Sequence, residues 1–229
     1  MLWRPRSDRV KKYKQIRMIG RELASQMLDV VPEEVLTRAA RDMNIIHKTT
    51  FVFDSEEELS ILQDRMIYDI LWDGKNVIKH FEEEKGSDLS EAEKKVLEAM
   101  KGAYFSLFEV IGNASRESLH LSDLLSGGQI ELTDISLSKT APKGSLLATR
   151  IVKVQDICMT SGVAYPFLPE HKDILISGIK KGQPAQRSRK KRSVGRIDFS
   201  EPRNYSLYFF RQYKRLSPVE IRMSDEVFE

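Results

Sequence analysis

The chain has 229 residues, 41% hydrophobic and 31% charged, with a formal net charge of +3 and a single cysteine. It is long enough to bury a core without covalent staples, and its composition is that of a soluble globular protein. With Cys158 alone, an internal disulfide and a thiolate zinc cage are excluded; no apolar run reads as a signal peptide or approaches the roughly 18 residues of a membrane span, so a cytoplasmic protein without membrane contact is expected.

The first hundred residues read as helices. Arg9 to Leu28 is basic and then apolar, with Gly20 its only breaker. Pro32 suits a first helical position, Glu33 and Glu34 favour the positive end of the helix dipole, and Val35, Leu36, Ala39, Ala40 and Met43 follow at helical spacing. Phe51-Val52-Phe53 reads as a short extended piece packing against the next segment of the chain. Ser55 with Glu58 forms a capping-box pattern ahead of the stripe Leu59, Leu62, Met66 and Ile70, which Gly74 ends. A shorter amphipathic stretch (Val77, Ile78, Phe81) stops at Gly86. Ser90 with Glu93 gives a second capping box, with Leu89 as a staple, opening a helix through Val96, Leu97 and Met100.

Beyond Gly102 the texture changes: Tyr104 to Ile111 is aromatic and β-branched, and Leu119/Leu121 and Ile130/Leu132 alternate with polar residues. Tyr104 to Ile111, Ser118 to Leu124, Gln129 to Ile135, Leu146 to Val154 and Ile157 to Tyr165 are strand candidates, separated by Ser126-Gly127-Gly128 and Pro142-Lys143-Gly144 turns. Five short strands in about sixty residues predict a small antiparallel barrel or a strongly curled sheet. Pro169 to Ile179 reads as a closing helix. Lys180 to Arg196, "KKGQPAQRSRKKRSVGR", has no apolar periodicity and reads as a linker or exposed arm. "NYSLYFFRQYKRL", residues 204–216, is aromatic enough to dock back as a strand or short helix. The expected architecture is therefore α+β: a helical N-terminal half (1–102), a small β-barrel-like module (103–168) and a basic C-terminal extension (169–229).

Several motifs fail on their surroundings. "LSGGQ", Leu125 to Gln129, is the signature of ATP-binding-cassette ATPases, but a strand pattern follows it and no G-x-x-x-x-G-K-[ST] loop exists to cradle phosphates. Its glycines are expected to supply a positive-φ turn. Ser136 to Lys139 fits S-x-x-K, yet the partner triplets of penicillin-recognising enzymes are missing. The four histidines are scattered, and Cys158 reads as a small buried hydrophobe. No catalytic residue, metal ligand or cofactor site is assigned.

From Phe51 to Leu168 the order "FVFDSEEELSILQDRMIYDILWDGKNVIKHF", "SLFEV", "LSDLLSGGQIELTDISLSKTAPKGSLLATRI" and "MTSGVAYPF" resembles a widespread group of uncharacterised bacterial proteins. The matching residues are Asp123-Leu124-Leu125, Ser138, Gly144, Leu146, Leu147, Ala148, Arg150, Met159, Ser161 and Gly162. The resemblance implies the β reading and no activity. Some relatives are similar to proteins with a cysteine-rich SEC-C zinc tail, from which this chain departs: a basic stretch stands where such a tail would sit.

Charge is what points to partners. Residues 1–21 carry eight Lys/Arg against one acid and residues 180–222 carry thirteen against three, whereas residues 22–179 carry sixteen against twenty-seven. An acidic body with basic ends leads to the expectation of a non-enzymatic protein that binds nucleic acid or a ribonucleoprotein. Arg187, Arg189, Lys190, Lys191, Arg192, Arg196, Arg211, Lys214 and Arg215 would neutralise phosphates, and Tyr205, Tyr208 and Tyr213 would stack on bases. The alternative is a protein-interaction or self-assembling module in which basic arms dock on acidic bodies, giving a homo-oligomer. An enzyme using polar hairpin loops around Asp123, Asp134, Lys139 and Arg150 ranks last.

Overall fold

Helical periodicity in the first hundred residues becomes five helices among the described residues. The computed structural model describes residues 7–47, 50–53, 55–182, 197, 199 and 201–216. Helix α1 is Ser7–Asp29, α2 Glu33–Met43, α3 Glu56–Tyr68, α4 Val77–Lys85 and α5 Glu91–Lys101. Two short strands, β1 (Ile46–His47) and β2 (Thr50–Phe51), pair antiparallel between α2 and α3. The α5 capping box forms as its spacing predicts: the Ser90 side chain accepts from Glu93 N at 3.3 Å, and the Glu93 carboxylate accepts from Ser90 N at 2.8 Å. At α3 the expected box is not made. Ser55 caps no backbone N–H and bonds instead to Glu57. Glu58 is buried and its carboxylate pairs with Lys214 at 2.6 Å, a charge-assisted bond that a cap does not match in strength. Pro32 stands one position earlier than expected, as the residue preceding α2.

The five expected strands form one antiparallel sheet. They are β3 (Tyr104–Asn113), β4 (Ser118–Asp123), β5 (Gln129–Thr133), β6 (Leu146–Val154) and β7 (Ile157–Phe167), in the order β5-β4-β3-β6-β7. Gly127 (φ 81°) and Gly128 (φ 88°) make the tight turn between β4 and β5, so LSGGQ is a hairpin tip. The barrel expectation is corrected here: the sheet is open, with β5 and β7 as its edges and no ladder joining them among the described residues. Strand alternation is the same in a closed barrel and in a curled open sheet; only the edge pairing distinguishes them.

Both faces of the sheet are covered. Phe105, Leu107, Ala148, Val152, Tyr165 and Phe167 join the helices in the larger core. Phe108, Val110, Leu121, Leu132, Leu147 and Ile151 form a second core on the other face, closed by Leu137 of helix α6 (Leu137–Thr140) and by Ala141. This is why β6 is buried along nearly its whole length rather than alternating with exposed positions. Cys158 packs in the second core as expected of a small hydrophobe, and burial pushes its thiol up to about 11.

Two more helices follow: α7 (Lys172–Gly182), after a 3₁₀ turn at Pro169–His171, and α8 (Tyr205–Leu216), after one at Pro202–Asn204. The aromatic stretch expected to be a strand or short helix is thus a helix, and its inner side chains belong to the larger core along with residues of all five N-terminal helices and the sheet. No described helix is long and apolar enough to cross a membrane.

Candidate nucleic-acid interface

As a helix, "YSLYFFRQYKRL" places Ser206, Phe209, Phe210 and Tyr213 on one side at intervals of three and four. That side meets the sheet. The Phe209 ring lies 5.9 Å from Phe105 and 6.2 Å from Phe167, Phe210 lies 6.4 Å from Tyr165, and Tyr213 lies 5.5 Å from Tyr165. Tyr208 turns toward α7, where its hydroxyl donates to Leu175 O at 2.9 Å and its ring meets Phe199 edge-on at 5.1 Å. This clasp needs a glycine at 178, because a Cβ there would collide with the Tyr208 hydroxyl.

Of the three tyrosines expected to stack on bases, Tyr208 is buried, and Tyr205 and Tyr213 are half-buried against Phe199 and Tyr165. Each packs on at least one of the protein's own rings. The basic candidates separate in the same way. Arg211 donates to Asp42 O at 2.7 Å, and Lys214 pairs with Glu58. Arg215 is exposed and lies close enough to Tyr208 to act on its hydroxyl. On α7, Lys172 pairs with Glu109 at 2.6 Å while Lys180 and Lys181 are exposed in the last turn. Arg187, Arg189, Lys190, Lys191, Arg192 and Arg196 lie outside the described residues. The described structure therefore leaves Arg215, Lys180 and Lys181 exposed on the α7–α8 pair that bounds this stretch, and ties Arg211 and Lys214 to acceptors of the body.

The basic N-terminal helix is largely spent on the sheet. Arg9 pairs with Glu131 at 3.0 Å and donates to Thr133 Oγ1 on β5; Arg17 donates to Thr160 O on β7 at 2.8 Å and lies 3.6 Å from Asp134. Lys12 pairs with Asp156 at the turn between β6 and β7. Helix α1 thus ties the two unpaired sheet edges together with its cations. Lys11 and Lys14 are on its exposed side.

Under α8 is a charge cluster that sequence reasoning missed. Arg150 on β6 is buried, with Nε 3.1 Å and Nη2 2.9 Å from Asp64 Oδ2 and Nη2 2.9 Å from Asp69. Its guanidinium lies over the Tyr68 ring at 4.3 Å, and Ser206 of α8 donates to Asp69. Burial opposes the Arg150 charge, yet Asp64 and Asp69 hold its pKa above the ordinary guanidinium value. Burial pushes Asp69 upward while Arg150 pulls it down. Arg65, also buried, bonds Asp42 at 2.6 Å and leaves Nε and Nη1 without a hydrogen-bond acceptor among the described residues. The signal in the sequence was the presence of Asp64 and Arg65 amid the apolar positions Ile61, Leu62 and Met66; buried charges at such positions require partners.

The polar loops do not assemble into an enzyme-like site. Asp123 accepts from Ser106 Oγ at 2.5 Å, Leu125 N at 2.9 Å and Ser126 Oγ at 2.6 Å, holding its own hairpin. Asp134 accepts from Ser136 N and Leu137 N at the start of α6. No group of three or more His, Cys, Asp or Glu among the described residues is placed to hold a metal.

Residues 7–199 match a family of unknown function, DUF7986. The chain belongs to that family. The DUF7986 match starts with α1 and ends at Phe199, so it takes in the helical half, the sheet, α7 and the basic stretch, well beyond the 51–168 span of the sequence resemblance. No curated protein and no solved structure matches the chain. In this DUF7986 chain the residues that carried the resemblance hold the architecture: Asp123 caps a turn, Ser138 Oγ donates to Arg116 O at 2.7 Å, Arg150 anchors the buried cluster, and Gly162 (φ 120°) sits where the β6–β7 register shifts.

Proposed function

We propose that this DUF7986 protein is a non-enzymatic, cytoplasmic binding protein for an anionic polymer, with single-stranded nucleic acid or a ribonucleoprotein as the partner. Binding runs through the basic stretch between α7 and α8 and its flanks, Lys180, Lys181 and Arg215, not through the rings of α8. One observation carries this reading: Lys180 to Arg196 contains eight cations and no acid, while α1 and α8 give Arg9, Lys12, Arg17, Arg211 and Lys214 to acceptors of the body. A stretch so charged, anchored through the α7–α8 clasp, gains from releasing phosphate counterions. With the α8 tyrosines packed on the protein's own rings, the contact is mainly electrostatic and tolerant of sequence.

The test is fluorescence anisotropy with a labelled single-stranded oligonucleotide over a salt series. Log affinity should fall linearly with log salt, with a slope of about −0.7 per phosphate neutralised. A full-length variant with Arg187, Arg189, Lys190, Lys191, Arg192 and Arg196 changed to Gln should lose binding at low salt. Affinity that stays flat with salt, or survives in the variant, overturns the reading.

A second reading, self-assembly of basic segments on acidic bodies, is favoured by α1, which already lays Arg9, Lys12 and Arg17 on Glu131, Asp156 and Asp134 within one chain. It requires a homo-oligomer that dissociates as salt rises, read by light scattering; a salt-independent monomer rules it out.

A further inference from the structure

Two sets of exposed side chains take no part in the contacts described so far. Phe51, Val52 and Phe53 are exposed rather than packed on the next segment as expected. The other set is three cations at one end of the sheet, Arg116, Lys139 and Lys143. They come from the β3–β4 loop, from α6 and from the turn before β6, and hydrogen bonds join these three segments. Ser138 Oγ donates to Arg116 O at 2.7 Å and Asn113 Nδ2 donates to Ser138 O at 3.0 Å, which fixes α6 beside the β3–β4 loop. Gly144 N donates to Val110 O at 2.8 Å and Val110 N donates to Ser145 O at 2.9 Å. The Pro142-Lys143-Gly144 turn is thereby held on the same end of β3.

None of these three cations has an ion-pair partner among the described residues. The segments that carry them, 110–116 and 135–145, contain no acid. Acids of the neighbouring elements are engaged: Glu131 pairs with Arg9, Glu117 accepts from Ser115 Oγ, and Asp134 is buried and accepts from Ser136 N and Leu137 N. The S-x-x-K pattern therefore divides its roles, with Ser138 tying two segments together and Lys139 left exposed. Cations on a frame that is already fixed lose little conformational freedom when they meet a ligand. The same end of the sheet also adjoins α7. Lys172, the first residue of α7, bonds Glu109, which precedes Val110 and pairs with Leu146 of β6. Lys180 and Lys181 stand at the other end of α7, which is about 17 Å long. A single strand of about 16 nucleotides, at roughly 3.4 Å per phosphate, reaches about 50 Å and can touch both places.

We propose that Arg116, Lys139 and Lys143 form a second contact surface for the phosphate backbone of a single-stranded nucleic acid. The inference rests on the nucleic-acid reading above and adds to it a site on the folded body. Its contacts are to phosphates and carry no sequence preference of their own.

Fluorescence anisotropy of the full-length protein with a labelled strand of about 16 nucleotides tests it. R116Q/K139Q/K143Q should weaken binding at least about tenfold at about 0.1 M salt and make the salt slope smaller by about 2. A variant with the same change of charge elsewhere, K79Q/K94Q/K95Q, should stay within about threefold of wild type. A second measurement needs no variant: the amide NMR signals of Arg116, Lys139 and Lys143 should shift when the strand is added to wild type. Wild-type affinity that does not depend on salt overturns this surface together with the nucleic-acid reading. Salt-dependent binding that R116Q/K139Q/K143Q leaves unchanged overturns this surface alone. So do unshifted amides at all three positions, or an equal loss in K79Q/K94Q/K95Q.

Discussion

Helix α1 and the α7–α8 region are the two basic parts of the protein, and they divide their charge differently: α1 ties the sheet edges, whereas α7–α8 pairs Lys172, Arg211 and Lys214 and leaves Lys180, Lys181 and Arg215 exposed. Along α1, Arg9, Lys12 and Arg17 meet Glu131, Asp156 and Asp134, and the helix becomes a strap across the unpaired edges of an open sheet. At α7–α8 the helices dock by apolar contacts and the Tyr208 clasp, leaving Lys180, Lys181 and Arg215 in solvent. A count of cations therefore does not measure the charge a surface can offer a ligand. What matters is whether carboxylates stand in register with the cations once the chain is folded.

The comparison breaks most severely at the buried cluster that holds α8 in place. Arg150→Ala leaves Asp64 and Asp69 buried without their cation, and should cost roughly 3–5 kcal/mol in urea unfolding. If it costs under about 1 kcal/mol, the cluster is not what anchors α8. Next is the clasp: Gly178→Ala drives a methyl into the Tyr208 hydroxyl and should cost about 1–3 kcal/mol by thermal unfolding.

A sharper test sets the two basic regions against each other. Arg17→Gln removes a bond to Thr160 O and should lower stability by about 1–2 kcal/mol without changing oligonucleotide affinity. Lys180→Gln with Lys181→Gln should do the reverse: stability within about 0.5 kcal/mol of wild type and a salt slope of binding smaller by about 1–2. If both variants act alike, the two regions do not differ as described. The smallest effect concerns Asp156, whose carboxyl Lys12 holds below the usual value. A depressed carboxyl pKa contributes stability above its unfolded pKa and loses it as pH falls through the folded one. NMR titration should show the Asp156 carboxyl moving up toward the ordinary carboxylate range in Lys12→Ala, with the other carboxylates unmoved.

Much of this was legible in the residues. Alternation at Leu119/Leu121 and Ile130/Leu132 located β4 and β5, aromatic and β-branched composition located β3, paired glycines marked the β4–β5 hairpin, and Ser90 with Glu93 marked the start of α5. These are local signals, each carried by residues within one turn or one strand. The cap expected at Ser55 failed because Glu58 found Lys214, 156 positions away. Arg150 stood out in the resemblance without a partner, since Asp64 and Asp69 lie 86 and 81 positions from it. The aromatic run of α8 was visible as something that docks, but which of its rings would be buried depended on the sheet face it met.

The sequence by itself determined most of the elements, the α+β class, the hairpin nature of LSGGQ and where positive charge is concentrated along the chain, because propensity, periodicity and charge act over a few residues. Only the tertiary structure decided that the sheet stays open under an arginine-bearing helix, that the α8 tyrosines turn inward, and which cations find carboxylates. Those outcomes depend on distances between segments far apart in the chain, and Coulomb and packing energies act through distance in space, not separation in sequence.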